Sequence, residues 1–494
     1  MGGLDEALAA ANATAARVPK GLFIDGEWRD AQGGRTLAVE DPATGAAIAE
    51  VADASVEDAV AALAAASRAQ EAWAATAPRE RGEVLRRAFD MMVARRDDLA
   101  GLMTLEMGKA FAESQAEVSY AAEFFRWFAE EAVRIDGGYL AAPGGGSRVV
   151  VMRQPVGPCL LITPWNFPMA MGTRKIGPAL AAGCTVVVKP AKQTPLSMLA
   201  LAGILEEAGV PRGVVNVFTT ARSGQASSAL LDDARLRKVS FTGSTEVGRT
   251  LLGQAANRVL RTSMELGGNA PFLVFADADL DLAIEGAFQA KMRNVGEACT
   301  AANRFYVHRS VAEAFTAGLA ARLADLRVGH GLDPATEVGP LIDGNAVKSV
   351  GELVADATAA GATVVTGGAA LDGDGHFFAP TVLSGVPADA RTVREEIFGP
   401  VAPIVAFDDE DDAVRMANDS EYGLASYVFT ENLARGLRVS ERLESGMVGL
   451  NQGIISNPAA PFGGVKQSGL GREGGKAGID EYLNVKYTAV RAAW

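Results

Sequence analysis

Short apolar runs separated by helical patterns mark the chain from about residue 155 onward: CLLIT (159–163), TVVVK (185–189), VVNVF (214–218) and KVSFT (238–242). Each run is short and mostly β-branched or leucine-rich, so the alternation predicts βαβ units and a parallel sheet. LSMLALAGILEEAGV is apolar along one face, follows Thr194 and Pro195, and stops at Gly209, which predicts a helix between the second and third runs. A second series repeats the pattern: PFLVF (271–275), a long helix over about 279–295, NRFYV (303–307), a helix from 310, and ATVVTGG (362–368). Residues 53–135, rich in Ala, Glu and Arg, predict several packed helices. RVVVMRQPVG (148–157) predicts a strand leading into the sheet region, and LNVKYTAV (483–490) alternates as a strand with an edge that invites a partner.

Composition narrows the class. A chain of 494 residues exceeds what one core usually organises, so more than one domain is expected. With 49% apolar and 21% charged residues it is an ordinary globular sequence, and a net charge of −14 argues against nucleic acid or an anionic membrane as a partner. Cys159, Cys184 and Cys299 are too few and too scattered for a disulfide framework, which fits a reducing compartment. His308, His330 and His376 show no ligand spacing, so no metal is expected. Asp5 and Glu6 stand where a signal peptide needs basic residues, and no apolar run reaches the length of a membrane span; a cytoplasmic location is expected.

Two stretches bear on chemistry before any resemblance is considered. FTGSTEVGRT (241–250) reads as strand, glycine turn and helix start, which aims N–H groups at an anion. It is one substitution from a P-loop, and PFLVFADAD could supply a metal-binding aspartate, so a P-loop-like NTPase is a rival reading. Arg249 in place of the phosphate-reaching lysine weighs against it. No GxGxxG follows a strand, so nicotinamide binding does not follow from glycine spacing. Cys299 in GEACTAANRF is, from its context alone, either a small apolar filler or a nucleophile.

PWNFP (164–168), MELGGNAP (264–271), GEAC (296–299) and EEIFGP (395–400) together resemble the aldehyde dehydrogenase superfamily, in the same order and at similar separations, from about residue 20 to the C-terminus. KPAKQTP, TRKIGPALAAGC, KMRNVGEAC, GIISNPAAPFGG and KQSGLGREGG are similar to the NADP-linked succinate-semialdehyde dehydrogenase branch. The resemblance implies an α/β fold with two parallel-sheet domains and a β oligomerisation arm. Its implied bounds are 1–135 and 154–265 for a dinucleotide-binding domain, 266–478 for a catalytic domain, and 136–153 with 479–494 for the arm. A homodimer or homotetramer is implied.

The resemblance also implies roles. Cys299 is the nucleophile, Asn166 an oxyanion donor with the Cys299 N–H, and Glu265 the base for deacylation. Without it, Asn166 reads as a turn residue and Glu265 as a charge at a strand end. Thr163, Trp165, Lys189, Lys192, Gly243, Ser244, Gly248, Leu266, Glu396 and Phe398 are implied to hold the cofactor, NADP in preference to NAD. Lys192 stands where NAD-preferring relatives carry glutamate, although a solvated surface lysine is the alternative. Arg174 and Arg293 lie in apolar settings and need carboxylates. Spacing favours internal ion pairs, whereas the resemblance implies that they grip a substrate carboxylate together with Ser456. The implied reaction is oxidation of succinate semialdehyde to succinate through a cysteine thiohemiacetal and thioester, with glutarate semialdehyde or another short aldehyde as the alternative. Glu297 departs from the glutamine common in the family and could raise the thiol pKa modestly, and Ala301 replaces a second cysteine, so no disulfide switch is expected at Cys299.

Overall fold

The computed structural model describes residues 2–491. The first apolar series forms an eight-stranded sheet in the order Glu27–Arg29, Leu22–Ile24, Val215–Val217, Val186–Lys189, Cys159–Ile162, Lys238–Thr242, Arg261–Glu265 and Gly469–Leu470. The five strands from Val215–Val217 to Arg261–Glu265 run parallel. From Cys159–Ile162 the chain moves first to one side, to Val186–Lys189, and later returns to the other, to Lys238–Thr242. That reversal opens a crevice at the carboxyl ends of the two strands, where Thr163 and Gly243 lie.

The second series forms a seven-stranded sheet in the order Thr363–Thr366, Thr381–Ser384, Val401–Phe407, Ala302–His308, Ala270–Val274, Ala425–Phe429 and Met447–Leu450. Only the first pair is antiparallel. Phe272, Phe305, Phe315, Tyr427 and Phe429 fill its core. Gly469–Leu470 returns from this half of the chain to pair with Arg261–Glu265. A separate antiparallel sheet joins Gly138–Ala141, Ser147–Pro155 and Leu483–Arg491, the last two in unbroken register from Pro155↔Leu483 to Ser147↔Arg491. Tyr139, Leu140, Val485 and Tyr487 are exposed on it.

Residues 53–135 form Val56–Ala75, Pro78–Ala94, Arg96–Met107 and Phe111–Glu131. The helix after Pro195 is Leu196–Glu207, and its first N–H groups are met by a distant side chain: Leu196 and Ser197 donate to the buried Glu106 carboxylate at 2.6 and 2.8 Å. The expected helix over 279–295 stops earlier, at Met292, and the expected helix from 310 is Ala312–Ala324. Beyond Met292, Asn294 (φ 53°), Val295 (φ 58°) and Gly296 (φ 78°) all adopt the left-handed region. For a buried β-branched residue such as Val295 this is strained, at a cost of roughly 1–2 kcal/mol.

The residues that suggested an NTPase are committed to structural contacts. Arg249 is exposed and bonds Glu421 and Gln467, Asp277 accepts from Thr430 and Arg435, and Asp279 caps the helix Leu280–Met292. Among the described residues no helix is long and apolar enough to cross a membrane, and no group of three or more His, Cys, Asp or Glu side chains is placed to hold a metal ion.

Candidate active site

Three strand ends and one broken helix meet at a cavity of about 280 Å³ lined by Trp165, Asn166, Glu265, Cys299, Glu396 and Phe398. Asn166 lies just past Cys159–Ile162, Glu265 ends Arg261–Glu265, and Cys299 follows the left-handed turn after Met292. Gly268 explains part of the MELGGN pattern: a Cβ there would lie 2.3 Å from the carbonyl oxygen of Cys299, so only glycine lets the two segments touch.

The Asn166 side chain is fixed at both ends. Its Nδ2 donates to the Glu297 carbonyl at 2.9 Å, and its Oδ1 accepts from the Phe167 N–H at 3.1 Å. Its own carbonyl accepts from Lys109 Nζ (2.7 Å) and Asn294 Nδ2 (3.0 Å). Lys109 in turn pairs at 2.6 Å with Glu117, whose other oxygen accepts from the Met169 and Ala170 N–H groups. Burial pushes the Cys299 thiol up to about 12; Arg174 and Arg293 pull it down, while Glu396 and Glu265 push it up. Glu297 is held away from ordinary ionisation by its surroundings. It is fully buried, accepts from the Ile342 N–H at 3.0 Å, and burial holds its carboxyl well above the usual range.

Glu265 is 2% exposed, and neither of its carboxyl oxygens has a hydrogen-bond partner among the described residues. Burial first, and the charge of Glu473 second, raise its pKa well above the usual range. Beneath it lies a buried cluster whose carboxylate sequence patterns did not single out: Glu473 pairs with Arg174 at 2.5 Å and also with Lys175. Arg174 therefore meets an internal carboxylate, as spacing favoured, and its guanidinium lies 4.1 Å above the Phe462 ring. Lys175, inside the apolar run AMGTRKIGPALAA, was a visible signal; Glu473 is 298 residues away in sequence.

A second cavity, of about 350 Å³, is lined by Arg293, Phe167, Asn294, Glu113, Lys109 and Ile454 among others. Arg293 makes no ion pair among the described residues; its Nη1 donates to Ser456 Oγ at 2.9 Å, and its guanidinium lies 4.9 Å from the Phe167 ring and 5.7 Å from the Tyr120 ring.

The crevice suits a dinucleotide. The hydroxyls of Thr163 and Thr242 and the Glu265 carboxyl are buried without hydrogen-bond partners among the described residues, and Thr242 and Glu265 line the cavity. Ser244 caps the helix Thr245–Ala256, Gly243 precedes it, and Gly248 packs against Leu266. Lys189 ends its strand with Nζ on Ser223 Oγ at 2.9 Å, and burial lowers it to about 8. Lys192 is exposed and makes no ion pair among the described residues. Glu396 accepts from the Gly268 N–H at 3.0 Å, burial raises it to about 7, and Phe398 stands edge-on to Trp165 at 5.4 Å.

Residues 28–488 match the model of the aldehyde dehydrogenase family. The chain is 60% identical over 443 residues to a succinate-semialdehyde dehydrogenase of Paenarthrobacter nicotinovorans, covering 90% of this chain and 98% of the relative. It is 51% identical to the succinate-semialdehyde dehydrogenase [NADP(+)] of Escherichia coli (strain K12), covering 95% and 97%. It is 50% identical to a glutarate-semialdehyde dehydrogenase of Pseudomonas putida, also covering 95% and 97%. The crystal structure of an E. coli NADP-dependent enzyme superposes with a TM-score of 0.95 at 50% identity, covering 96% of this chain and 98% of that one. With the family pattern matched over nearly its whole length, around a cavity that joins Cys299, Glu265 and Asn166, the chain belongs to the aldehyde dehydrogenase family.

Proposed function

We propose that the protein oxidises succinate semialdehyde to succinate with NADP. The observation that carries this reading is the adjacency of a cysteine–glutamate–asparagine cavity and a second cavity that presents Arg293, which has no ion-pair partner among the described residues. The relatives named as succinate-semialdehyde dehydrogenases support the choice of substrate.

The Cys299 thiol gives up its proton to solvent water, and the sulfur adds to the aldehyde carbon. Arg174 and Arg293 lower the cost of the thiolate. The carbonyl oxygen becomes an oxyanion within reach of the second Asn166 Nδ2 hydrogen and the Cys299 N–H, each worth roughly 3–4 kcal/mol in comparable sites. Bound NADP would accept the hydride from the adduct, leaving a thioester on Cys299. Lys189 and Lys192 would attract its 2′-phosphate, while Thr163, Trp165, Gly243, Ser244, Gly248, Leu266, Glu396 and Phe398 would line its path. Glu265, raised toward neutral pKa by its apolar setting, takes a proton from a water molecule, and that water cleaves the thioester to acid and free thiol. Arg293 and Ser456 hold the substrate carboxylate, with Arg174 behind them. Glutarate semialdehyde is the second reading, favoured by relatives of that name at 50–51% identity.

We assign residues 1–135 and 154–265 to cofactor binding, 266–478 to catalysis, and 136–153 with 479–494 to an arm whose exposed apolar strands a second copy covers. The free cysteines suit the cytoplasm. Comparing kcat/KM for succinate semialdehyde, glutarate semialdehyde and butanal tests the substrate. The four-carbon acid should exceed butanal by at least roughly thirtyfold, about 2 kcal/mol for a charged contact. Equal values would refute the carboxylate clamp.

A further inference from the structure

The helix Phe111–Glu131 turns one face toward the site. Glu113, Glu117, Tyr120 and Phe124 stand at positions i, i+4, i+7 and i+11, so they share that face. Glu113 accepts from the Asn294 N–H at 2.6 Å, and Glu117 accepts from the Met169 and Ala170 N–H groups that start the helix behind Asn166. Tyr120 is the next residue along this wall. Its ring meets the Arg293 guanidinium at 5.7 Å, and its packing continues onto Phe124 at 4.9 Å.

The Tyr120 hydroxyl is buried and has no hydrogen-bond partner among the described residues. A phenylalanine would pack on Phe124 and face Arg293 equally well, as Phe124, Phe125 and Phe128 show by filling the same helix with apolar rings. A buried donor without an acceptor is costly, so the hydroxyl needs an acceptor that arrives from outside the chain. The Arg293 guanidinium beside it selects an anion. Arg293 has committed only Nη1, to Ser456, while Arg174 has committed Nε to Glu473 and Nη2 to the Met171 sulfur.

We infer that Tyr120 donates its hydroxyl hydrogen bond to the carboxylate of the aldehyde substrate, as a specificity-determining residue beside Arg293, Ser456 and Arg174. This rests on the carboxy-aldehyde reading above. An aliphatic group offers the phenol O–H no acceptor, so its contribution is confined to substrates that carry the distal anion.

The test is Tyr120→Phe, assayed with succinate semialdehyde and with butanal. Expected is a fall of about tenfold or more in kcat/KM for succinate semialdehyde, carried by KM, as for a lost hydrogen bond to a charged group, with butanal changed by less than about twofold. The concentration of succinate that half-protects Cys299 from iodoacetamide should rise by the same factor. A parallel loss on both aldehydes would mean a packing role and overturn the inference. So would full retention of the preference for succinate semialdehyde, which would leave the clamp of Arg293 intact and remove Tyr120 alone. Should the wild-type enzyme treat both aldehydes alike, the carboxy-aldehyde reading itself fails and takes this inference with it.

Discussion

The two arginines beside the cavity differ in what surrounds them. Arg174, 1% exposed, sits in a sealed floor where Glu473 balances it and Lys175 together. Arg293 stands at a half-open mouth with a serine and two aromatic faces, with Glu113 on the same cavity wall, and it forms no ion pair among the described residues. A buried charge with a fixed partner is part of the architecture, and removing one member leaves the others uncompensated. A charge that no carboxylate pairs directly is available to a ligand. The floor should therefore respond to mutation mainly through stability and proton chemistry, and the mouth mainly through KM.

Breaking the floor gives the largest expected effect. Glu473→Gln strands two buried cations, so unfolding in urea should show a loss of about 3–5 kcal/mol. The same change removes a negative charge that raises the Glu265 pKa and leaves Arg174 and Lys175, which lower it. The acidic limb of the kcat–pH profile should move to lower pH, because the base then ionises earlier. An unchanged urea midpoint would show that the pairing does not hold the floor.

At the mouth, Arg293→Leu should raise KM for succinate semialdehyde by roughly thirtyfold, or about 2 kcal/mol, while stability changes by under about 1 kcal/mol. A stability loss as large as that of Glu473→Gln would erase the distinction. Lys192→Glu, on an exposed side chain remote from both, should shift the kcat/KM ratio of NADP to NAD by at least roughly tenfold toward NAD. A wild-type enzyme that already prefers NAD would contradict this cofactor assignment.

Floor and mouth also differ in how far they could be read from sequence. The strands that end at Ile162, Lys189 and Thr242 were plain because β-branched runs and their spacing are local signals. The break after Met292 was not. KMRNVGEAC carries no proline, and a helix through it is locally acceptable until Gly296. What bends it is distant: Glu113 captures the Asn294 N–H, and a Cβ at Gly296 would meet the Gly399 carbonyl at 2.3 Å. The Lys175–Glu473 pair was hidden for the same reason, its partners being joined only by the fold. Arg174 shows how the two signals combine, since spacing indicated an internal pair and the family resemblance a substrate contact, and its guanidinium has a group left over after Glu473 and Met171 are met.

The central claim is a covalent acyl-enzyme on Cys299 that Glu265 resolves. It is tested most directly by mixing the Glu265→Gln variant with succinate semialdehyde and NADP, following NADPH, and mapping the quenched protein by mass spectrometry. The account predicts one burst of NADPH per site, slow turnover thereafter, and a succinyl group on the Cys299 peptide. Steady turnover at the wild-type rate with Cys299 unmodified would contradict it.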